Sequence, residues 1–374
     1  MSAQPQSPAS GGFLVGQVGG APVRIGYSWL VLAVVVVVAV APNVKASRPD
    51  LGTGAYAVGL AVALVLLVAV LAHEFAHALV ARAFGARVVA IVADLFGGHT
   101  SFDGRALGPG RSAAVAFAGP LTNGLLGGIF YLFTSTMDSG VPLYLLDKFA
   151  LVNIYLAGFN LLPGLPLDGG QLVESAVWAG TGNRHKGTVV SAWCGRIVTI
   201  LVVLWWVVLP IVRGQGLGPY LLWGLLLASF LWRGASSALT RGQVLGRIDR
   251  VALSQLIVAL PVIRETDSVE LAAARAPGGA IVLSAADQPI GLVLSDAVAQ
   301  VPVDRRAGTT VGAILVRQPY TWVIDATSED ALPVVQELAQ RNIPIAVVRR
   351  EGRLIGVIQA GDVERVLTGG STER

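Results

Sequence analysis

Residues 55–80 read AYAVGLAVALVLLVAVLAHEFAHALV, and this stretch decides what kind of molecule the chain can be. As a helix rising ~1.5 Å per residue, it is longer than the ~30 Å hydrocarbon core of a bilayer. Its one carboxylate and two imidazoles, Glu74, His73 and His77, fall within five consecutive positions. A helix entering near Tyr56 carries His73 about 25 Å along its axis, still inside the bilayer. Ionisable groups at that depth are costly unless they pair or face a cavity, so three in little more than one turn predict a functional site. His73 and His77, four apart, project from one helix face and suit two nitrogen ligands on a tetrahedral zinc, with Glu74 beside the metal's water.

The remaining composition agrees with a polytopic α-helical membrane protein. Of 374 residues, 54% are hydrophobic and only 13% charged, about half the charged fraction of ordinary soluble domains. Apolar blocks near residues 27–41, 55–80, 112–136, 148–178, 188–212 and 218–239 predict about six transmembrane helices. The first is short for a full crossing and would use Tyr27 and Trp29 as interfacial anchors. Residues 1–26 lack an apolar run after a basic start, so no cleaved signal is expected and the first span is retained. Residues 1–12 are expected to be disordered. The glycine- and β-branched-rich stretch 13–25 predicts a hairpin at the membrane surface, and 85–111 predicts short membrane-edge strands.

The fourth block is expected to be a broken helix, because FNLLPGLPLDGGQL carries Pro163, Gly164, Pro166, Gly169 and Gly170. Irregular backbone at membrane depth is tolerated only where protein buries it or it lines a wet cavity. Asp168 sits in that break and is the expected third metal ligand; the competing reading is an interfacial loop residue capping the next helix. His99, in a polar glycine turn, and His185, beside Lys186, read as solvated. The single cysteine, Cys194, lies in an apolar block and excludes both a disulfide framework and a cysteine zinc site.

With the N-terminus in the cytoplasm, eleven basic residues (Arg24, Arg82, Arg87, Arg105, Arg111, Arg184, Lys186, Arg233, Arg241, Arg247, Arg250) fall inside and four (Lys45, Arg48, Lys148, Arg213) outside. That bias predicts a multi-pass cell-membrane protein with both its N-terminus and its C-terminal region in the cytoplasm. From about residue 248 the sequence turns to soluble α/β character. Two similar units, about 248–303 and 308–368 within a region 241–374, read as a tandem repeat of one small module.

HEFAH in the second block, with NLLPGLPLDGG (Asn160–Gly170) in the fourth, resembles the site-2 protease family of intramembrane zinc metalloproteases. FGG (Phe96–Gly98) and GPLTN (Gly119–Asn123) are similar to further family segments, and the resemblance covers roughly residues 12–240. The two C-terminal units resemble a CBS pair, found in one branch of that family. The stretch APVRIGYSW matches the family's first strand only loosely, with Gly26 and Tyr27 where a histidine is common.

The resemblance implies one Zn2+ per chain on His73, His77 and Asp168, and cleavage of peptide bonds in or near substrate transmembrane helices, with Glu74 as general base. It implies substrate contacts from Asn160 and Asn123, although either amide could instead serve helix packing. The expected partners are single-span membrane proteins, anti-sigma-factor-like regulators among them, together with the lipid bilayer. Nucleic acid is not expected. For the CBS pair the resemblance implies regulation through an adenosine nucleotide at Asp362, Ser295 and Asp296, against a purely structural or dimerising role that would give a homodimer. Gln359 stands where the nucleotide pattern has a hydroxyl, and the Ser295–Asp296 spacing is shortened. Two other readings are a catalytically inactive homologue that holds membrane proteins and a CBS-regulated transporter. The intact His73, Glu74, His77 and Asp168 argue against the first, and the clustering of polar residues on one side against the second.

Overall fold

The computed structural model describes residues 12–94, 97–103, 107–214 and 218–368. The chain divides into two compact units between Gly242 and Gln243, two residues from the boundary expected at 240/241.

The first unit opens with a hairpin, β1 (Gly12–Val18) and β2 (Ala21–Gly26), in which Gly12 already pairs with Gly26. The disorder expected for 1–12 otherwise falls outside the described residues. Helix α1 (Tyr27–Ser47) follows without a loop. It runs six residues past its apolar block, since Pro42 is accommodated and the Asn43 and Ser47 side chains donate to carbonyls one turn back. At 21 residues it is no longer too short to cross a bilayer. Helix α2 (Gly54–Ala83) carries the HEFAH residues near its end.

Strands β3 (Arg87–Asp94) and β4 (Gly97–Asp103) complete a sheet of order β1-β2-β3-β4. β2 and β3 are parallel, Val23 opposite Ile91. Parallel neighbours need a crossover, and α1 with α2 supplies it. Ala21, Val23, Val88 and Ile91 pack on Leu71, Phe75 and Ala78 of α2, which fixes the sheet beside the turn bearing the titratable residues.

Helices α3 (Pro109–Thr134) and α4 (Val141–Asn160) form an antiparallel pair. α4 begins seven residues before the apolar block expected at 148, because Gly140 at φ 108° and Pro142 in the first turn make an N-terminal boundary. The block also does not continue as one span. It stops at Asn160 and resumes as α5 (Asp168–Thr181), with Leu161–Leu167 between. The break is anchored on α6 (Arg184–Val203): Leu165 N–H donates to Ser191 O (3.2 Å) and Ser191 Oγ to Gly170 O (2.6 Å). A Cβ at Gly195 would collide with the Leu165 carbonyl, so only glycine lets α6 approach this closely. A π turn (Leu204–Val208) and α7 (Leu209–Val212) extend α6, and α8 (Pro219–Ile248) follows. Among the described residues, α1, α2, α3, α4 and the stretch 184–212 are long and apolar enough to cross a membrane.

The second unit holds two modules. The first has α9 (Leu253–Leu256), β5 (Val262–Arg264), α10 (Val269–Arg275), β6 (Ala280–Leu283), β7 (Pro289–Val293) and α11 (Ser295–Ala299). The second has β8 (Val316–Arg317), β9 (Val323–Asp325), α12 (Ala331–Arg341), β10 (Ile345–Arg350), β11 (Arg353–Gln359) and α13 (Ala360–Thr368). The modules exchange their leading segments. Leu253 and Leu256 pack with Ile324, Val334 and Ile358, and Val258 pairs with Val357. Conversely, Val311 joins the core of Ile263, Val269 and Val282, while β8 pairs with β7. Trp322, fully buried, donates its indole N–H to Pro289 O (3.0 Å) and packs against Ile281, Leu292, Val347 and Val357.

Candidate metal centre

His73 and His77 project from α2 with ring centroids 4.6 Å apart, and Asp168, the first residue of α5, meets them both. Its Oδ2 lies 2.9 Å from His73 Nε2 and 3.3 Å from His77 Nε2. All three side chains are buried, at 6–7% exposure, in the membrane-spanning unit. The ligand atoms of the three lie within 4.8 Å of one another. Tetrahedral zinc with bonds of about 2.0–2.2 Å separates neighbouring ligands by roughly 3.3–3.5 Å, so the set fits that ion with small relaxation.

Two further observations support the fit. His77 Nδ1 lies 2.7 Å from Val115 O, a group that only accepts, so Nδ1 carries the proton and Nε2 presents its lone pair. A Cβ at Gly119 would stand 2.5 Å from the Nε2 atoms of both histidines. Glycine there keeps empty the space beside both ligand nitrogens. Gln171 Nε2 donates to the other Asp168 oxygen (3.3 Å), which steadies the carboxylate one turn into α5.

Glu74 is buried on the same turn, and Thr100 of β4 donates its hydroxyl to Glu74 Oε2 (2.6 Å). Gly98 of β4 lies flat against this carboxylate; a Cβ there would overlap it. These residues open on a cavity of about 630 Å³, lined also by Trp29 and Val35 of α1, Asn160 of α4 and Phe230 of α8. His99 lines the cavity, more than half exposed, with Nδ1 3.9 Å from Asp94. His185, on α6, belongs neither to this cluster nor to the cavity lining.

The structure separates the two asparagines. Asn160 faces the cavity, its amide donating to Leu156 O (3.1 Å). Asn123 is fully buried in α3, off the cavity lining, with neither amide atom hydrogen-bonded. In the second unit, Asp362 and Gln359 line a cleft of about 260 Å³ together with Gly278, Gly279 and Arg365, and Arg365 pairs with Asp362. Ser295 and Asp296 are exposed at the start of α11 and do not line it. The positioning groups Thr100, Gln171 and Val115 had no signal in the sequence, because each reaches the site through tertiary contact. Gly119 and Gly98 were visible only as parts of the GPLTN and FGG segments.

The model of peptidase family M50 matches residues 61–139 and 134–204. The provisionally named zinc metalloprotease sll0528 of Synechocystis sp. is 28% identical over 94% of this chain and 94% of its own length. Rip3 of Mycobacterium tuberculosis, also provisionally named a zinc metalloprotease, is 29% identical over 82% of this chain and 79% of its own length. The structure of a site-2 protease from Methanocaldococcus jannaschii aligns with 61% of this chain and 95% of its own, at 21% identity and a TM-score of 0.45. The metal-ligand set, its helix-borne histidines and these sequence matches converge on peptidase family M50, the site-2 protease family of zinc metalloproteases, whose model covers residues 61–204 of the first unit.

Proposed function

We propose that this protein is an intramembrane zinc endopeptidase that cuts transmembrane segments of other membrane proteins, with Glu74 as its general base. The observation that carries this reading is the convergence of His73, His77 and Asp168 on one point beside Glu74, inside a membrane-embedded cavity. His73 Nε2, His77 Nε2 and an Asp168 oxygen would hold the ion, which when bound lowers the pKa of water towards neutrality and polarises the scissile carbonyl.

The chain's own residues do the rest. Glu74, with Oε2 held by Thr100, keeps its other oxygen free to take the proton of the attacking water and return it to the leaving nitrogen. Among the described residues strand β4 pairs only with β3, so its outer edge offers backbone groups to an unwound substrate strand. Asn160 is placed to bind extended backbone once it releases Leu156 O. The substrates in this reading are single-span proteins, anti-sigma-factor-like regulators among them. The N-terminus and the second unit face the cytoplasm, as the basic-residue bias indicates. The cleft at Asp362 takes an adenosine nucleotide that adjusts activity, and the CBS-like modules dimerise.

Glu74→Gln should retain one zinc per chain by elemental analysis yet lower cleavage at least ~10³-fold, and single-span proteins should accumulate in membranes holding the variant. Unchanged turnover in membranes free of other proteases would refute the assignment.

A further inference from the structure

Arg196 lies on α6, twelve residues into the stretch 184–212 that is otherwise apolar enough to span a membrane. The metal centre does not use it. Its guanidinium carbon lies 4.8 Å from the Trp193 ring and 5.0 Å from the Trp232 ring of α8, clamped between two aromatic groups. Among the described residues its one hydrogen bond is a long one, 3.4 Å to Ser236 Oγ, and its Nε is buried without a partner. No carboxylate pairs with it among the described residues. Arginine has five donors in a fixed fork and keeps its charge, so a guanidinium this poorly satisfied on a membrane-spanning helix calls for an anion.

The surroundings say which anion. Trp193 and Trp232 are both about half exposed on the outer surface of the unit, and exposed tryptophans favour the headgroup level of a bilayer. α8 is apolar from Leu221 to Trp232 and turns polar from Arg233 onward. Arg196 touches it at Trp232 and Ser236, where its apolar run ends. A long basic side chain at that level reaches up towards phosphates, and a planar fork suits their oxygens. The ligand chemistry is a phosphate anion, and at a lipid-facing surface its source is the bilayer.

We propose that Arg196, held by Trp193 and Trp232, binds the phosphate of an anionic phospholipid, giving the protease a lipid site separate from its metal centre.

Native mass spectrometry of the full-length protein in mild detergent tests this, with phosphatidylglycerol, phosphatidylcholine or inorganic phosphate added. Wild type should retain phosphatidylglycerol at least fivefold over phosphatidylcholine, with 50-fold excess inorganic phosphate leaving the adducts in place. Arg196→Gln should lose that preference, and Arg196→Lys should keep part of it. Size-exclusion profile and zinc content serve as folding controls, and Trp232→Leu, expected to weaken the preference, replaces Arg196→Gln if that variant misfolds. Equal retention of the two lipids by wild type, an undiminished preference in correctly folded variants, or displacement by inorganic phosphate would each overturn the proposal.

Discussion

The two units of this chain differ in where most of their polar groups lie. In the first, His73, Glu74, His77, Asn123, Asn153 and Asp168 are inside, while Leu132 and Trp205 are 71% and 69% exposed. In the second, Ile281, Ile324, Val334 and Ile358 are inside, and Asp325 and Arg349 pair on the surface. The same covalent chemistry is sorted by two solvents. Lipid takes the apolar side chains and leaves polar groups to converge, whereas water takes the charges and leaves a dry core. Asp168 and Asp325 show the contrast within one residue type: the first is enclosed by two imidazoles, the second stands against a guanidinium in solvent.

Three substitutions should break or sharpen that contrast. The largest effect is expected from Gly119→Ala, whose Cβ would occupy the space beside both histidine nitrogens. Zinc content should fall from one per chain to near zero, with hydrogen exchange in the second unit unchanged; full zinc occupancy would show that the site can shift to make room. Next, Ile324→Ala removes a fully buried side chain from the second unit's core. It should destabilise that unit by about 2–5 kcal/mol, read as faster amide exchange there, with zinc content intact.

The smallest effect is expected from Asp325→Asn. Hydrogen bonds from Arg349 hold the Asp325 carboxyl below its ordinary pKa. Its contribution to stability is therefore present above that ordinary value and fades as the pH falls through the acidic range. The pair is exposed and screened. The variant should match wild type in exchange at neutral pH within scatter and show a slightly flatter decline towards acid. A large loss at neutral pH would mean that the surface pair is structurally essential.

The sequence disclosed the parts of the site whose signal is local. HEFAH is readable because a helix turns spacing into direction, and Asp168 because prolines and glycines broke an apolar block at depth. What it hid depends on long-range contact. The parallel β2–β3 pairing joins strands separated by two helices, and Thr100 reaches Glu74 only because β4 folds over α2. α1 outruns its apolar block because its last turn is polar, and α4 starts ahead of its block because Gly140 and Pro142 set its start. Arg196 stands in an apolar run with no motif around it, and its two tryptophans come together only in three dimensions.

The exchange of leading segments in the second unit has a consequence for biosynthesis. Residues 248–258 leave the ribosome before either module exists, yet their packing partners, Ile324, Val334, Val357 and Ile358, belong to the second module and are made later. The first module cannot close as an independent intermediate during translation, because Val311 and β8 of its own core also arrive late. The leading segment therefore finds its partners only once β11 has been made, after the membrane helices have been synthesised. A truncation that removes only the second module would leave the first without its core strand and expose Leu253 and Leu256 to the solvent.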